Sequence, residues 1–128
     1  MKQVDEKLLS HVNGALHMIT EELSKPQEDV VAISVCGTTR GAIQDILKLF
    51  LVSNGVSVQA AGTIDDLIRM CVKKDDRFLD FDFSLVYCRC ETSNASTIPY
   101  CMSDDRVQAC YRLLLRLKEY VYGDLEVN

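Results

Sequence analysis

The residues between positions 32 and 50 recur at helical spacing, and this rhythm constrains the fold more than any other feature. The register steps by four, three, four, three and four, and it passes Gly37 and Gly41 without a break. Its positions are Ala32, Cys36, Thr39, Ile43, Ile46 and Phe50. The segment therefore predicts one long helix over roughly 27–53, which Asn54-Gly55 can stop.

A strand followed by a glycine loop is the competing interpretation of the same segment. The β-branched residues of Val30–Cys36 favour a strand, and a helix starting at Gly37–Gly41 could then hold phosphate. A Walker-type loop, however, has four residues between its glycines, followed by lysine and a hydroxyl residue. Here three residues separate the glycines, and Ala42-Ile43 follows. We therefore favour the long helix, in which the two glycines share a face and let a neighbouring helix approach closely.

Three further helices are indicated by apolar periodicity and by capping residues. Residues 4–24 form an amphipathic pattern, after which Ser24 can serve as the N-cap of the next helix. Thr63 is a good N-cap for a short helix that carries two aspartates in its first turn. A final helix is expected over about 104–122, with Gly123 closing it as a C′ residue.

Residues 76–90 carry two apolar helical stripes, which is wider than one core contact needs. This predicts either the central helix of a bundle or a dimer interface, and an alternating strand is a weaker competitor. The interface residues predicted here are Phe78, Phe81, Phe83 and Leu85. With residues 91–102 as a loop, the chain is expected to be all-α. It would form a single domain over 1–128, an up-and-down bundle of about five helices.

The charge and the N-terminal sequence limit the partners that the chain can have. A net charge of −5 argues against sequence-blind binding to nucleic acid, which requires a basic surface. The N-terminus lacks the features of a secretory signal, and no apolar run approaches the ~18 residues that span a bilayer. We therefore expect a cytoplasmic protein with no membrane contact.

The cysteines and histidines do not form a convincing metal site. The six cysteines are Cys36, Cys71, Cys88, Cys90, Cys101 and Cys110. Zinc sites commonly use a C-x₂₋₄-C spacing, whereas Cys88 and Cys90 are two apart and would point in opposite directions on a helix. His11 and His17 fall on different faces of the first helix. The thiols are therefore interpreted as reduced and buried, and no metal or cofactor is predicted.

The order of these helices resembles the HEPN family (higher eukaryotes and prokaryotes nucleotide-binding domain) over nearly the whole chain. The similarity lies in Ala42–Gly55, in Gly62–Cys71, in Asp76-Arg77-Phe78 and in Asp104–Tyr120. These are patterns of helix and hydrophobicity. Ile64 stands where that family has a characteristic histidine, and no arginine precedes a histidine here, so the Arg…His motif of the catalytic RNases in the family is absent.

The resemblance implies a nucleotide or RNA site near the fourth helix and the loop that follows it. The guanidinium group of arginine can bind a phosphate through two hydrogen bonds, and the ring of tyrosine can stack on a base. The candidate ligand-binding residues are Arg40, Tyr87, Arg89, Tyr100 and Arg106. The resemblance also implies pairing with a nucleotidyltransferase as in two-component toxin–antitoxin systems. Separately, we expect the chain to form a homodimer.

Three functions follow as hypotheses. The first is a non-catalytic helical binding or regulatory module. The second is a divergent, metal-independent RNase of toxin type, which the missing Arg…His arrangement and the acidic charge weaken. The third is a purely structural dimeric protein that uses only the apolar face of residues 78–90.

Overall fold

A computed structural model of the protein describes residues 4–26, 30, 32–86 and 104–125. These residues form four α-helices, two short 3₁₀ helices and no strand. The elements are α1 (Glu6–Leu23), α2 (Ala32–Ser53), α3 (Ile64–Lys74), the first 3₁₀ helix (Asp76–Asp80), the second 3₁₀ helix (Phe83–Val86) and α4 (Asp104–Leu125). The all-α prediction is confirmed as a helical bundle, but with four α-helices where five were expected.

The first helix begins at a capping aspartate and ends at Ser24. The side chain of Asp5 accepts hydrogen bonds from the backbone N–H groups of Lys7 and Leu8, at 3.0 and 3.1 Å. At the other end, Ser24 adopts a helical conformation and its hydroxyl donates to the Glu21 carbonyl at 2.7 Å. Ser24 is thus the C-cap of α1, and its predicted role as an N-cap is wrong because its hydroxyl is directed back toward α1.

The segment with two interpretations is one helix, α2, as the spacing predicted. The strand interpretation is wrong within the described residues, since Ala32–Cys36 is already helical. Val30 precedes the helix, and residues 27–29 and 31 lie outside the described ranges. Helix α2 packs against α1, α4 and α3. Its contribution to the core is large because its side chains are buried on several sides: Val35, Cys36, Ala42, Ile43, Ile46, Leu47, Leu49, Phe50 and Leu51.

The two glycines of α2 do not have the packing role predicted for them. Gly37 and Gly41 are both exposed, and a Cβ atom built on either residue would meet no atom within 4 Å. The buried stripe passes through Cys36, Thr39 and Ile43, so the glycines lie beside that stripe on the outer side of the helix. The close-approach prediction is therefore wrong, because no described helix contacts this face at the glycines.

Helix α2 ends in a Schellman motif built on Gly55, where the sequence predicted a stop. Gly55 has φ +78°, a left-handed conformation that glycine adopts without a steric penalty. Its N–H donates to the Val52 carbonyl at 3.0 Å, and the N–H of Val56 donates to the Leu51 carbonyl at 2.9 Å. These two bonds fix the direction in which the chain leaves the helix.

The capping prediction for α3 is confirmed. Thr63 is the N-cap, and its hydroxyl accepts from the Asp66 N–H at 3.2 Å. The Asp66 carboxylate in turn accepts from the Gly62 N–H at 2.9 Å and contacts the Arg69 guanidinium at 2.6 Å. Arg69 first, and the Gly62 N–H second, hold the pKa of Asp66 below its ordinary value.

The α-helix predicted over 76–90 is wrong for residues 76–86, while 87–90 lie outside the described ranges. Two aspartates interrupt the helix by capping separate short turns. Asp75 accepts from the Arg77 N–H at 3.1 Å, and Asp82 accepts from the Ser84 N–H at 3.1 Å. Phe81, between the turns, is extended. Aspartate side chains compete for backbone N–H groups in this way, and the competition outweighs the apolar periodicity here.

Helix α4 continues past its predicted end. Gly123 lies inside the helix and is exposed, so its predicted role as a C′ residue is wrong. The helix extends because Tyr122 and Leu125 are buried, and a break at Gly123 would expose Leu125. The Tyr122 hydroxyl also donates to Asn13 on α1 at 2.7 Å. None of the helices in the described ranges is both long and apolar enough to cross a bilayer.

Candidate aromatic interface

Five aromatic rings join the 3₁₀ helices to α2 and α4. We call Phe50, Phe78, Phe81, Phe83 and Tyr120 the aromatic cluster. Its innermost contact is between Phe50 and Phe78, whose ring centroids lie 4.7 Å apart in an edge-to-face arrangement. Phe78 also meets Tyr120 at 5.5 Å, and Phe81 lies 6.0 Å from Tyr120. Phe83 is 6.2 Å from Phe81, and both rings are half-buried. The cluster therefore runs from the core to the surface.

A hydrogen bond from Tyr120 to Asp75 fixes this arrangement. The Tyr120 hydroxyl donates to the carboxylate of Asp75, the residue that also caps the first 3₁₀ helix. Burial, followed by the hydrogen bond to Asp75, raises the pKa of Tyr120 from 10.0 to about 12. Asp75 is thus the C-cap of α3 through its backbone N–H, while its carboxylate starts the 3₁₀ helix and holds that helix against α4.

The raised pKa of Tyr120 predicts a loss of stability in alkaline solution. Because the folded chain holds the phenol proton more tightly than the unfolded chain, the stabilisation is complete below pH 10 and is lost as the pH rises toward about 12. Urea unfolding of the wild type and Tyr120→Phe at about pH 8 and about pH 11 measures this effect. We expect a smaller alkaline loss in the variant, and equal losses in the two proteins would contradict this account.

Some alkaline loss will remain in the Tyr120→Phe variant. Burial also raises the pKa of Tyr122, and it raises that of the Cys71 thiol from 9.0 to about 12. Both groups are protonated in the folded state for the same reason as Tyr120, so they contribute in the same direction. The difference between wild type and variant isolates the part that belongs to Tyr120.

The outer end of the aromatic cluster is covered by an arginine. The Arg116 guanidinium lies over the Phe81 ring, 5.7 Å from its centroid. We call Phe81, Phe83 and Arg116 the outer surface. It combines aromatic area with a cation, a composition that is enriched at the energetic centres of protein interfaces.

The described residues of the predicted interface lie at different depths in the structure. Phe81 and Phe83 are half-buried at the surface, as an interface requires. Phe78 is 0% exposed, so it belongs to the core and cannot contact a partner. Its burial follows from the 3₁₀ turn, which directs Phe78 inward between Phe50 and Tyr120. The side chain of Leu85 lies outside the described residues.

The predicted ligand-binding residues are mostly beyond the described part of the chain. Tyr87, Arg89, Tyr100 and the side chain of Arg106 lie outside it. Arg40 is half-buried on α2. The described residues therefore do not test whether these five lie together, and the ligand site stays a prediction.

Sequence reasoning missed Arg116 and the bond between Tyr120 and Asp75. Arg112, Arg116 and Tyr120 are spaced by four residues and so share one side of α4, which is a signal that the sequence offered. Nothing in the sequence indicated which ring Arg116 would cover, because that contact depends on the extended backbone at Phe81.

The described cysteines are buried, as predicted. Cys36, Cys71 and Cys110 lie in the core, while Cys88, Cys90 and Cys101 lie outside the described residues. The Cys71 thiol donates to the Leu47 carbonyl at 3.7 Å, which ties α3 to α2. His17 pairs with Glu21 at 3.0 Å on the exposed side of α1. Within the described ranges, no three histidine, cysteine or carboxylate side chains are grouped as metal ligands would be.

Comparisons of the chain with protein-family models, with curated proteins and with solved structures found no match. The resemblance to the HEPN family therefore stays a prediction from the sequence.

Proposed function

We propose that the chain is a non-catalytic helical binding module that pairs with a second copy of itself through the outer surface. The observation that carries this proposal is the half-buried pair Phe81 and Phe83 at the surface, with Arg116 stacked on Phe81. Aromatic rings and arginine at the centre of a patch are typical of residues that dominate binding energy.

The charges around the outer surface favour a second copy as the partner. Asp80 and Asp82 flank Phe81 in the chain, while Arg112 and Arg116 lie on α4, and all four are exposed. A two-fold interface requires a patch that is complementary to itself. A patch with both signs of charge meets this requirement, since the arginines of one copy can contact the aspartates of the other.

Within the described residues, the two titratable groups whose pKa values are raised to about 12 have structural roles. The pKa of Tyr120 is raised by burial and by Asp75, a residue that caps a 3₁₀ helix. The pKa of Cys71 is raised by burial in the core, where its thiol contacts a backbone carbonyl. Catalytic acids and bases need pKa values near the working pH, whereas both of these groups stay protonated at neutral pH.

A charge exchange tests the two-fold pairing. We expect Arg112→Glu/Arg116→Glu to weaken self-association, because its patch would then present only negative charge. Asp80→Lys/Asp82→Lys should weaken it for the opposite reason. Mixing the two variants should restore pairing as a heterodimer, measured by native mass spectrometry. Failure of the mixture to pair, with both variants folded by circular dichroism, would contradict the proposal.

Contact with nucleotide or RNA, a nucleotidyltransferase partner and a cytoplasmic location remain predictions of the sequence. A thermal-shift screen of nucleotides tests ligand contact, because a ligand at 100 times its Kd adds about 2.7 kcal/mol of stability. The RNase alternative is tested by incubating the protein with RNA. If the protein degrades RNA and Arg89→Ala abolishes this activity, the RNase hypothesis replaces the non-catalytic proposal.

A further inference from the structure

A groove of about 420 Å³ separates the connector after α2 from α3. It is lined by Val56, Met70, Lys73 and Lys74, and its walls are largely apolar. This volume falls within the roughly 300–1,000 Å³ of pockets that hold small ligands. The groove is built from residues that the outer surface does not use.

One apolar wall of the groove is rigid and the other is adaptable. Val56 directly follows the Schellman turn of α2, and its N–H is bonded to the Leu51 carbonyl at 2.9 Å. Met70 lies opposite on α3, which the Cys71 thiol anchors to the Leu47 carbonyl. Methionine has a flexible, polarisable side chain that fills irregular spaces. The groove can therefore fit apolar chains of somewhat different shape.

Two lysines place positive charge at the entrance of the groove. Lys73 and Lys74 are exposed in the last turn of α3, where cations also favour the carbonyl end of a helix. Neither ammonium group forms an ion pair with another residue of the described ranges. The carboxylate of Asp75, next in the chain, is occupied by the Tyr120 hydroxyl and the Arg77 N–H. The two cations thus remain available to an anion at the groove.

We infer that this groove binds a small amphipathic carboxylate. Its apolar chain lies between Val56 and Met70, and its carboxylate contacts Lys73 and Lys74. The opposite charges of ligand and lysines determine the orientation, while burial of the apolar chain provides most of the affinity. The net charge of −5 disfavours binding of an anion over much of the protein surface. The lysine pair therefore distinguishes this groove from the rest of the surface as a site for an anion.

Three ten-carbon probes test the ligand class by calorimetry, the two charged probes used below their micelle concentrations and the alcohol below its solubility limit. Decanoate should bind about tenfold more tightly than decanol, since decanol has the same apolar chain and no charge. Decyltrimethylammonium should bind more weakly than either probe because its charge is repelled. Equal affinities for decanoate and decanol would overturn the proposal, as would the absence of decanoate binding at about 1 mM.

Paired substitutions localise the binding. Lys73→Gln/Lys74→Gln should weaken decanoate binding about tenfold, to the level of decanol, because two exposed ion pairs are lost. Lys7→Gln/Lys25→Gln changes the net charge equally, at one residue of α1 and one just after it, and should leave the affinity unchanged. Both proteins are checked for folding by circular dichroism. An equal loss in the two variants would show that net charge alone governs binding, and it would overturn the groove as the site.

Discussion

Replacing Phe78 with alanine is expected to lower the free energy of unfolding by about 3–5 kcal/mol, the cost of removing a fully buried aromatic ring. Phe78 is 0% exposed and contacts Phe50 and Tyr120 edge to face. Such aromatic pairs contribute about 0.5–1.5 kcal/mol beyond their burial. Because domains are stable by only about 5–15 kcal/mol, the variant should lose a large part of its stability. Urea unfolding measures the loss.

Phe81→Ala is the matched control for this prediction. On an amphipathic α-helix, Phe78 and Phe81 would lie on one stripe and would cost about the same to remove. In the structure the extended backbone at Phe81 brings that ring to a half-buried position. We therefore expect Phe81→Ala to cost clearly less than Phe78→Ala. Equal losses of stability in the two variants would support the α-helix that the sequence predicted over 76–90 and would contradict the 3₁₀ turns.

Replacing both glycines of α2 with alanine is expected to stabilise the protein by about 2 kcal/mol. Glycine inside a helix costs about 1 kcal/mol relative to alanine, because it loses more backbone entropy on folding. At Gly37 and Gly41 the added methyl groups meet no atom within 4 Å, so no packing cost opposes the gain. Thermal and urea unfolding of Gly37→Ala/Gly41→Ala measure the change.

Gly55→Ala makes the same chemical change, but we expect it to lower the stability of the protein. Its φ of +78° is left-handed, where a Cβ atom costs about 1–2 kcal/mol, so this variant should be destabilised. A stability loss at Gly37 or Gly41 would mean that another helix does approach them. That result would support the close packing inferred from their spacing and would contradict the exposed positions seen in the structure.

The helices that the sequence predicted well are those whose local signals agree. In α2 the apolar rhythm from Ala32 to Phe50 continues through both glycines, and burial of that stripe outweighs their low helix propensity. In α3, Thr63 and the aspartates after it mark the start, and the structure shows the same cap. Periodicity and capping are local properties, so the sequence alone specifies them.

The failures occur where tertiary contacts or capping side chains override a local pattern. Residues 76–86 have helical periodicity, but Asp75 and Asp82 divide them into two turns, and Asp75 is held by Tyr120 from α4. Gly123 predicts a helix stop, yet α4 continues beyond it because Leu125 is buried. Periodicity could not reveal a bond between residues 45 positions apart.

The candidate site was predictable only in part for the same reason. The sequence singled out Phe81 and Phe83 because the segment is too apolar for one core contact. It could not separate them from Phe78, since the three differ in burial only after the 3₁₀ turns form. It also could not pair Arg116 with Phe81, because two distant elements bring them together.

Self-association through the outer surface is the central claim, and sedimentation velocity over a concentration series tests it most directly. We expect the wild type to form dimers at micromolar concentration. Arg116→Glu, which reverses the charge over Phe81, should raise the dimer dissociation constant at least about tenfold. Lys7→Glu changes the charge equally at an exposed residue on α1, and it should not alter the dimer. A wild-type protein that is monomeric throughout, or equal weakening by both substitutions, would contradict the account.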